Sequence, residues 1–200
     1  MHAATGRLTI LNRTATAIGV VAIAGALTLA IFFAGIPVFG PVNDVCGLLV
    51  AALSGVLVAL TVRQQLVPRL AGLVGLTGAA IGVLGSVLVL VHLTGWFFAG
   101  LVSTVGLALI GVWLVVFSHP ASGPPRWLVL GQVTGWLMTV GLVALPGVFL
   151  GLDDDRTAPA WIWVAYVSWI GTAAGYPAWA MWLGRLRSTA GVAVALKGEG

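Results

Sequence analysis

Few side chains in this sequence can hold a proton, a metal ion or a reacting carbonyl. Asn43 and Asp44 follow a turn with two prolines, Gly35-Ile-Pro-Val-Phe-Gly-Pro-Val-Asn-Asp44, and stand ahead of an apolar run that closes on Arg63-Gln-Gln65. His92 ends the next apolar run. A carboxylate beside an imidazole can relay a proton, share a metal or act as a general base. The plainer account of Asn43 and Asp44 is a helix cap, in which a short side-chain oxygen accepts from free N–H groups of the first turn and negative charge suits that end. The plainer account of His92 is an interfacial histidine that only hydrogen-bonds. Gln132 and Tyr176 are polar side chains set inside apolar runs. They can hydrogen-bond across two helices, a contact worth ~0.6 kcal/mol on average, or line a polar pocket.

Other chemistry finds no residues to carry it. A metal site needs three or four ligands; only Asp44, His92 and Asp153 to Asp155 are expected on the outer side, and His2 and His119 are expected on the cytoplasmic one. The acids of Asp153-Asp-Asp-Arg-Thr157 are consecutive, whereas a calcium loop spreads its ligands over about 12 residues. They read as an exposed turn, with Thr157 or Asp155 near the cap of the helix that follows and Pro159 in its first turn. Phosphate-loop, zinc-protease, nucleophile-elbow and dinucleotide signatures are missing. No basic run suits nucleic acid, and no cofactor is expected. Cys46 is the only cysteine, so an intrachain disulfide is impossible; it reads as a small apolar packer.

The elements that position these residues follow from composition. The chain is 60% hydrophobic and 7% charged, against roughly a quarter charged in soluble folds. Lipid is therefore the solvent for most of it. Six apolar runs are each long enough to cross a ~30 Å hydrocarbon layer as a helix: about 15–34, 45–62, 70–93, 97–117, 127–150 and 160–183. The first exceeds the ~7–15-residue apolar region of a cleavable signal, so a retained span is expected. Thr94-Gly-Trp96 is short enough to force a hairpin.

Numbering the links alternately puts Arg7, Arg13, Arg63, Arg69, Arg126, Arg185, Arg187 and Lys197 on one side and only Arg156 on the other. Basic residues in short links stay cytoplasmic, so both termini are expected inside, in a cell (inner) membrane. Trp96, Trp161 and Trp163 then fall near the outer boundary, and Trp113, Trp127, Trp179 and Trp182 near the inner one. Trp136 and Trp169 fall mid-membrane and are expected to pack between helices.

Small residues recur four apart in Gly47-Ala51-Gly55, Gly78-Gly82, Gly131-Gly135 and Gly171-Gly175. Such steps let a neighbouring backbone come close, either within one bundle or between two copies. Tyr166, Trp169, Ala173, Tyr176 and Ala180 form one stripe on the last span, and Pro177 should kink it by removing a backbone bond to Ala173.

Gly40-Pro-Val-Asn-Asp44 opening a span and Tyr176-Pro-Ala-Trp-Ala-Met-Trp-Leu-Gly-Arg185 closing the last one resemble small multi-span bacterial membrane proteins grouped as domains of unknown function. The resemblance implies a bacterial inner-membrane protein and brings no activity.

The expectation is an all-α membrane bundle of six helices forming a single domain. Three functions suit it: a non-enzymatic scaffold, sensor or accessory subunit, favoured by the dearth of intramembrane polar groups; a small transporter or lipophile carrier with an outward-facing site near Asn43, Asp44 and His92; and a lipid-modifying enzyme using Asp44 and His92. The partners expected are membrane lipid, other membrane proteins or a small lipophilic ligand.

Overall fold

Backbone N–H and C=O groups in lipid must find partners within the chain, and the apolar runs meet that demand as helices. The computed structural model describes residues 2–119 and 126–185, with side chains from residue 10 onward. Arg187 and Lys197, counted above on the inner side, lie outside the described residues. Four long helices come first: α1 (His2–Phe33), α2 (Phe39–Arg63), α3 (Arg69–Leu90) and α4 (Trp96–Phe117). A fifth rod follows, made of α5 (Arg126–Thr139), a 3₁₀ segment (Val140–Ala144) and α6 (Leu145–Phe149). Five helices, Ile10–Phe33, Phe39–Arg63, Arg69–Leu90, Trp96–Phe117 and Arg126–Phe149, are long and apolar enough to cross a membrane. This is the pattern of a multi-pass membrane protein.

The final rod differs from the single α-helix expected. It runs through a 3₁₀ segment (Ala160–Val167), α7 (Ser168–Ile170), a π turn (Gly171–Gly175) and α8 (Tyr176–Arg185). The π turn sits directly ahead of Tyr176-Pro177, where proline has no N–H to give. A widened turn beside a proline is one of the recognised causes of a helix irregularity. Ahead of the rod, Pro159 occupies the cap position and no side chain caps it. Thr157 instead donates to the Asp154 carbonyl (3.3 Å), and Asp154 accepts from the Arg156 N–H (2.9 Å). The acidic stretch is thus a self-bonded turn, and the capping role expected for Thr157 or Asp155 is not found.

Each rod packs on the next, and the last returns to α1, closing a ring. Glycine makes the close approaches. Gly106 of α4 lies against Gly78 and Gly82 of α3, and Gly111 against Gly135 and Met138 of α5. On the final rod Gly171 faces Met138 and Gly175 faces Thr134, while Gly19 and Gly184 bring α1 and α8 together. The small-residue steps are occupied by neighbours of the same chain, which favours the packing reading over the dimer reading.

Three tryptophans expected at the inner headgroup boundary are core instead. Trp113 and Trp179 are fully buried and Trp127 nearly so. Trp113 stacks on Phe117 with centroids 5.4 Å apart, and Trp179 meets both edge-on at 6.1 and 5.9 Å. With Leu11, Ile18, Leu57 and Leu114 they fill the half of the ring that holds the start of α1.

Helix ends are closed by left-handed residues: Gly35, Gln65, His92 and Gly151, with φ of 96°, 56°, 55° and 64°. At His92 the N–H donates to the Val89 carbonyl and the Leu93 N–H to the Leu88 carbonyl, both 3.0 Å. This pair of bonds is the glycine-favouring helix stop, here carried by a histidine. The left-handed backbone costs a residue with a β-carbon about 1–2 kcal/mol. His92→Gly is therefore expected to stabilise the protein, raising the thermal midpoint in detergent by about 2–4 °C.

Candidate functional site

α2 begins at Phe39, six residues earlier than its apolar run suggests. Pro41 lies inside the first turn, where a missing N–H costs nothing. Asp44 consequently stands in the second turn, ~8 Å along the helix from Phe39. The cap position is Val38 and no side chain caps this helix, so the capping role expected of Asn43 and Asp44 is overturned.

Both residues instead line a cavity of about 260 Å³. Its walls come from five rods, and its shape follows from where they part. α1 packs on the final rod through α8 and the π turn, the half of the ring that holds the start of α1, while the 3₁₀ segment of that rod packs against Val140–Ala144. The cavity lies in the other half, between residues 22–33 of α1 and 166–173 of the final rod. Gly47, Ala51, Gly82 and Gly85 line it where α2, α3 and α4 pack closely, and Gly100 hollows it from α4, an added β-carbon there meeting nothing within 4 Å. The lining on α2 runs from Gly40 to Ala51, ~16 Å along the helix or about half the ~30 Å hydrocarbon layer.

Most of the surface is apolar or aromatic, with Phe32, Trp96, Tyr166 and Trp169 contributing rings. Tyr166 and Trp169 contact each other at 4.5 Å between centroids. The indole N–H of Trp169 points at the Thr104 hydroxyl over a long 3.5 Å. Among the described residues, Asp44 is the only carboxylate in the lining, and no Lys, Arg or His joins it. Among the described residues nothing hydrogen-bonds or ion-pairs with Asp44.

The chain matches no protein-family model, no curated protein and no solved structure. The chemistry of the cavity therefore has to be read from its own side chains.

His92 is not part of it. The residue is exposed in the α3–α4 turn and absent from the lining. α2 and α3 are neighbours as expected, yet His92 does not share the cavity that Asp44 lines. Among the described residues no group of three His, Cys, Asp or Glu gathers for a metal ion.

Gln132 and Tyr176 are not joined either. Tyr176 is fully buried, and its hydroxyl lies 2.8 Å from Ser54 Oγ on α2. Ser54 spends its one proton on the Val50 carbonyl at 2.6 Å, so Tyr176 is the donor in that pair. Gln132 is half-buried with no hydrogen-bond partner among the described residues. The expected bond across the fifth and sixth rods is replaced by one from the sixth to the second. It lies one turn below Ala51 and Ala173, the deepest lining residues on those two rods, and so forms part of the cavity floor. Tyr176→Phe keeps the ring stacked on Trp179 (5.8 Å, 12°). It is expected to cost only ~0.6 kcal/mol, the average for such a bond in a membrane, as read by unfolding in mixed micelles.

Of the two tryptophans expected to pack between helices, Trp169 lines the cavity, whereas Trp136 is 59% exposed on the outside of the bundle and does not pack as expected. Sequence reasoning did not assign Cys46, Ser86 or Thr104 to a site; all three line the cavity. The usable signal lay on α2, where Gly40, Asn43, Gly47, Ala51 and Ser54 recur at three- and four-residue steps and carry the single carboxylate on their flank.

Proposed function

We propose that this protein is a six-span membrane protein whose outward-facing cavity binds a small lipophile, in the manner of a carrier or membrane receptor. The observation that carries it is a mostly apolar cavity of about 260 Å³ in one half of the ring, with buried aromatics plugging the other half. A scaffold has no use for such a hollow, and the imidazole that the enzyme reading paired with Asp44 is not in the lining. The volume lies just below the ~300 Å³ that begins the usual range for small-molecule sites, so the occupant is small or inserts a single chain.

Six spans are supported by the length of the final rod. Its 3₁₀ segment contributes ~16 Å at 2 Å per residue, and the 13 residues of α7 and α8 add ~20 Å, which exceeds the ~30 Å layer. An even count puts Arg63, Arg69, Arg126 and Arg185 on one side, the cytoplasmic one. Asp44, Trp96 and the mouth of the cavity then face outward. The inner membrane of a bacterium, suggested by the likeness in layout noted above, is part of the same proposal.

The test uses Gly100, which lines the cavity and where an added β-carbon meets nothing within 4 Å. Gly100→Phe fills the hollow from a position that tolerates a side chain. Protein purified from membranes is extracted and its bound small molecules identified by mass spectrometry. A lipophile recovered with the wild type and depleted at least tenfold from folded Gly100→Phe supports binding in the cavity. Identical extracts from both would overturn it.

A further inference from the structure

The cavity carries one formal charge, and nothing in the structure balances it. Asp44 has no hydrogen-bond or ion-pair partner among the described residues, and its walls hold no cationic side chain. Asp44 is half-buried, and the cost of holding an unpaired carboxylate against apolar surface falls when an opposite charge arrives. Phe32, Trp96, Tyr166 and Trp169 line the same cavity. Aromatic faces attract cations through the ring quadrupole. Asn43 and the hydroxyls of Ser86 and Thr104 can accept hydrogen bonds without adding charge.

We infer that the occupant is a lipophilic monocation, an ammonium group on an apolar chain or body, with the ammonium at Asp44 and the apolar part along the aromatic and glycine-lined wall. The inference rests on the reading of the cavity as a lipophile site and adds the charge of its ligand. A zwitterionic phospholipid also brings an ammonium, but its phosphate would enter a lining with no Arg, Lys or His to receive it. Net charge thus separates a free amphiphilic cation from an amine-bearing membrane lipid. A fatty anion would meet Asp44 as a like charge.

Cys46, the single thiol, lines the same cavity and serves as a local reporter. The protein in phosphatidylcholine nanodiscs is alkylated with N-ethylmaleimide in the presence of decyltrimethylammonium, decanol, decanoate or lysophosphatidylethanolamine. Decyltrimethylammonium is expected to protect Cys46 at a concentration at least tenfold lower than decanol, with decanoate and the lysolipid weaker still. In Asp44→Asn the advantage of the cation over decanol should fall below threefold; partition into the nanodisc is the same for both proteins and cancels. Equal protection by cation and alcohol in the wild type, an advantage that survives Asp44→Asn, or lysolipid protection equal to the cation's overturns the monocation assignment. If that protection is nonetheless lost in Gly100→Phe, the cavity reading stands. Absence of protection by any of the four, or protection undiminished in Gly100→Phe, overturns both.

Discussion

Gly106→Ala is expected to lower the thermal midpoint in detergent by roughly 10 °C or more, while Gly100→Ala leaves it unchanged, although the two glycines lie on the same helix. A β-carbon at Gly106 would strike the amide nitrogen of Gly82 and lie 2.7 Å from both the Gly78 carbonyl oxygen and the Gly82 α-carbon. Every one of these atoms is backbone, so no side chain can rotate away and α3 and α4 must separate. Overpacking of this kind costs about 1–3 kcal/mol where side chains can shift, and more where they cannot. At about 2–4 °C per kcal/mol, a cost of ~3 kcal/mol or more gives the stated fall. In lipid the loss is not repaired by apolar burial, because the tails are as apolar as the helix and association depends on close fit. Equal midpoints for the two variants would show that the α3–α4 crossing is not as tight as described.

The second large effect is expected in the aromatic plug. Trp179→Ala should cost ~3 kcal/mol, whereas Trp136→Ala should cost under ~0.5 kcal/mol. Trp179 is fully buried against Trp113, Phe117 and Tyr176, and its removal leaves a hole among rigid rings. The value is set at the lower end of the ~3–5 kcal/mol known for soluble cores because the transfer part of that cost is reduced in lipid. Trp136 faces outward and leaves no hole. Trp179→Phe separates packing from hydrogen bonding. The Trp179 indole N–H has no partner among the described residues, so phenylalanine keeps much of the ring and loses no bond; a change within ~1 kcal/mol is expected. A Trp179→Phe cost equal to that of alanine would mean that the indole N–H is bonded after all. Denaturation in mixed micelles, followed by circular dichroism, reads all three.

Much of the layout was open to sequence reasoning because membrane helices obey one strong rule: an apolar run of sufficient length must be helical. The first five rods follow from it. The glycine steps correctly marked seams, since only glycine and alanine let two backbones approach. Helix ends were harder. Pro41 looks like a stop before a helix, yet proline is equally at home in a first turn, and this moved Asp44 from cap to cavity wall. Trp113, Trp127 and Trp179 match the spacing of an interfacial belt, but the belt rule sees depth and not direction around the helix. Direction decides whether an indole meets a headgroup or a neighbouring ring. The pairing of Tyr176 with Ser54 joins residues far apart in the chain, and only the closing of the ring sets it. His92 drew attention as a titratable group, whereas its backbone angle accounts for its position as the stop of α3.

The measurement closest to the central claim uses the natural thiol in its natural setting. Intact cells carrying the full chain are treated with a membrane-impermeant trimethylammonium methanethiosulfonate, and modification of Cys46 is followed by mass spectrometry. An outward-opening cavity that admits cations predicts rapid labelling from outside, and at least tenfold slower labelling in Gly100→Phe. Labelling that appears only once the cytoplasmic face is exposed to reagent would contradict both the orientation and the site.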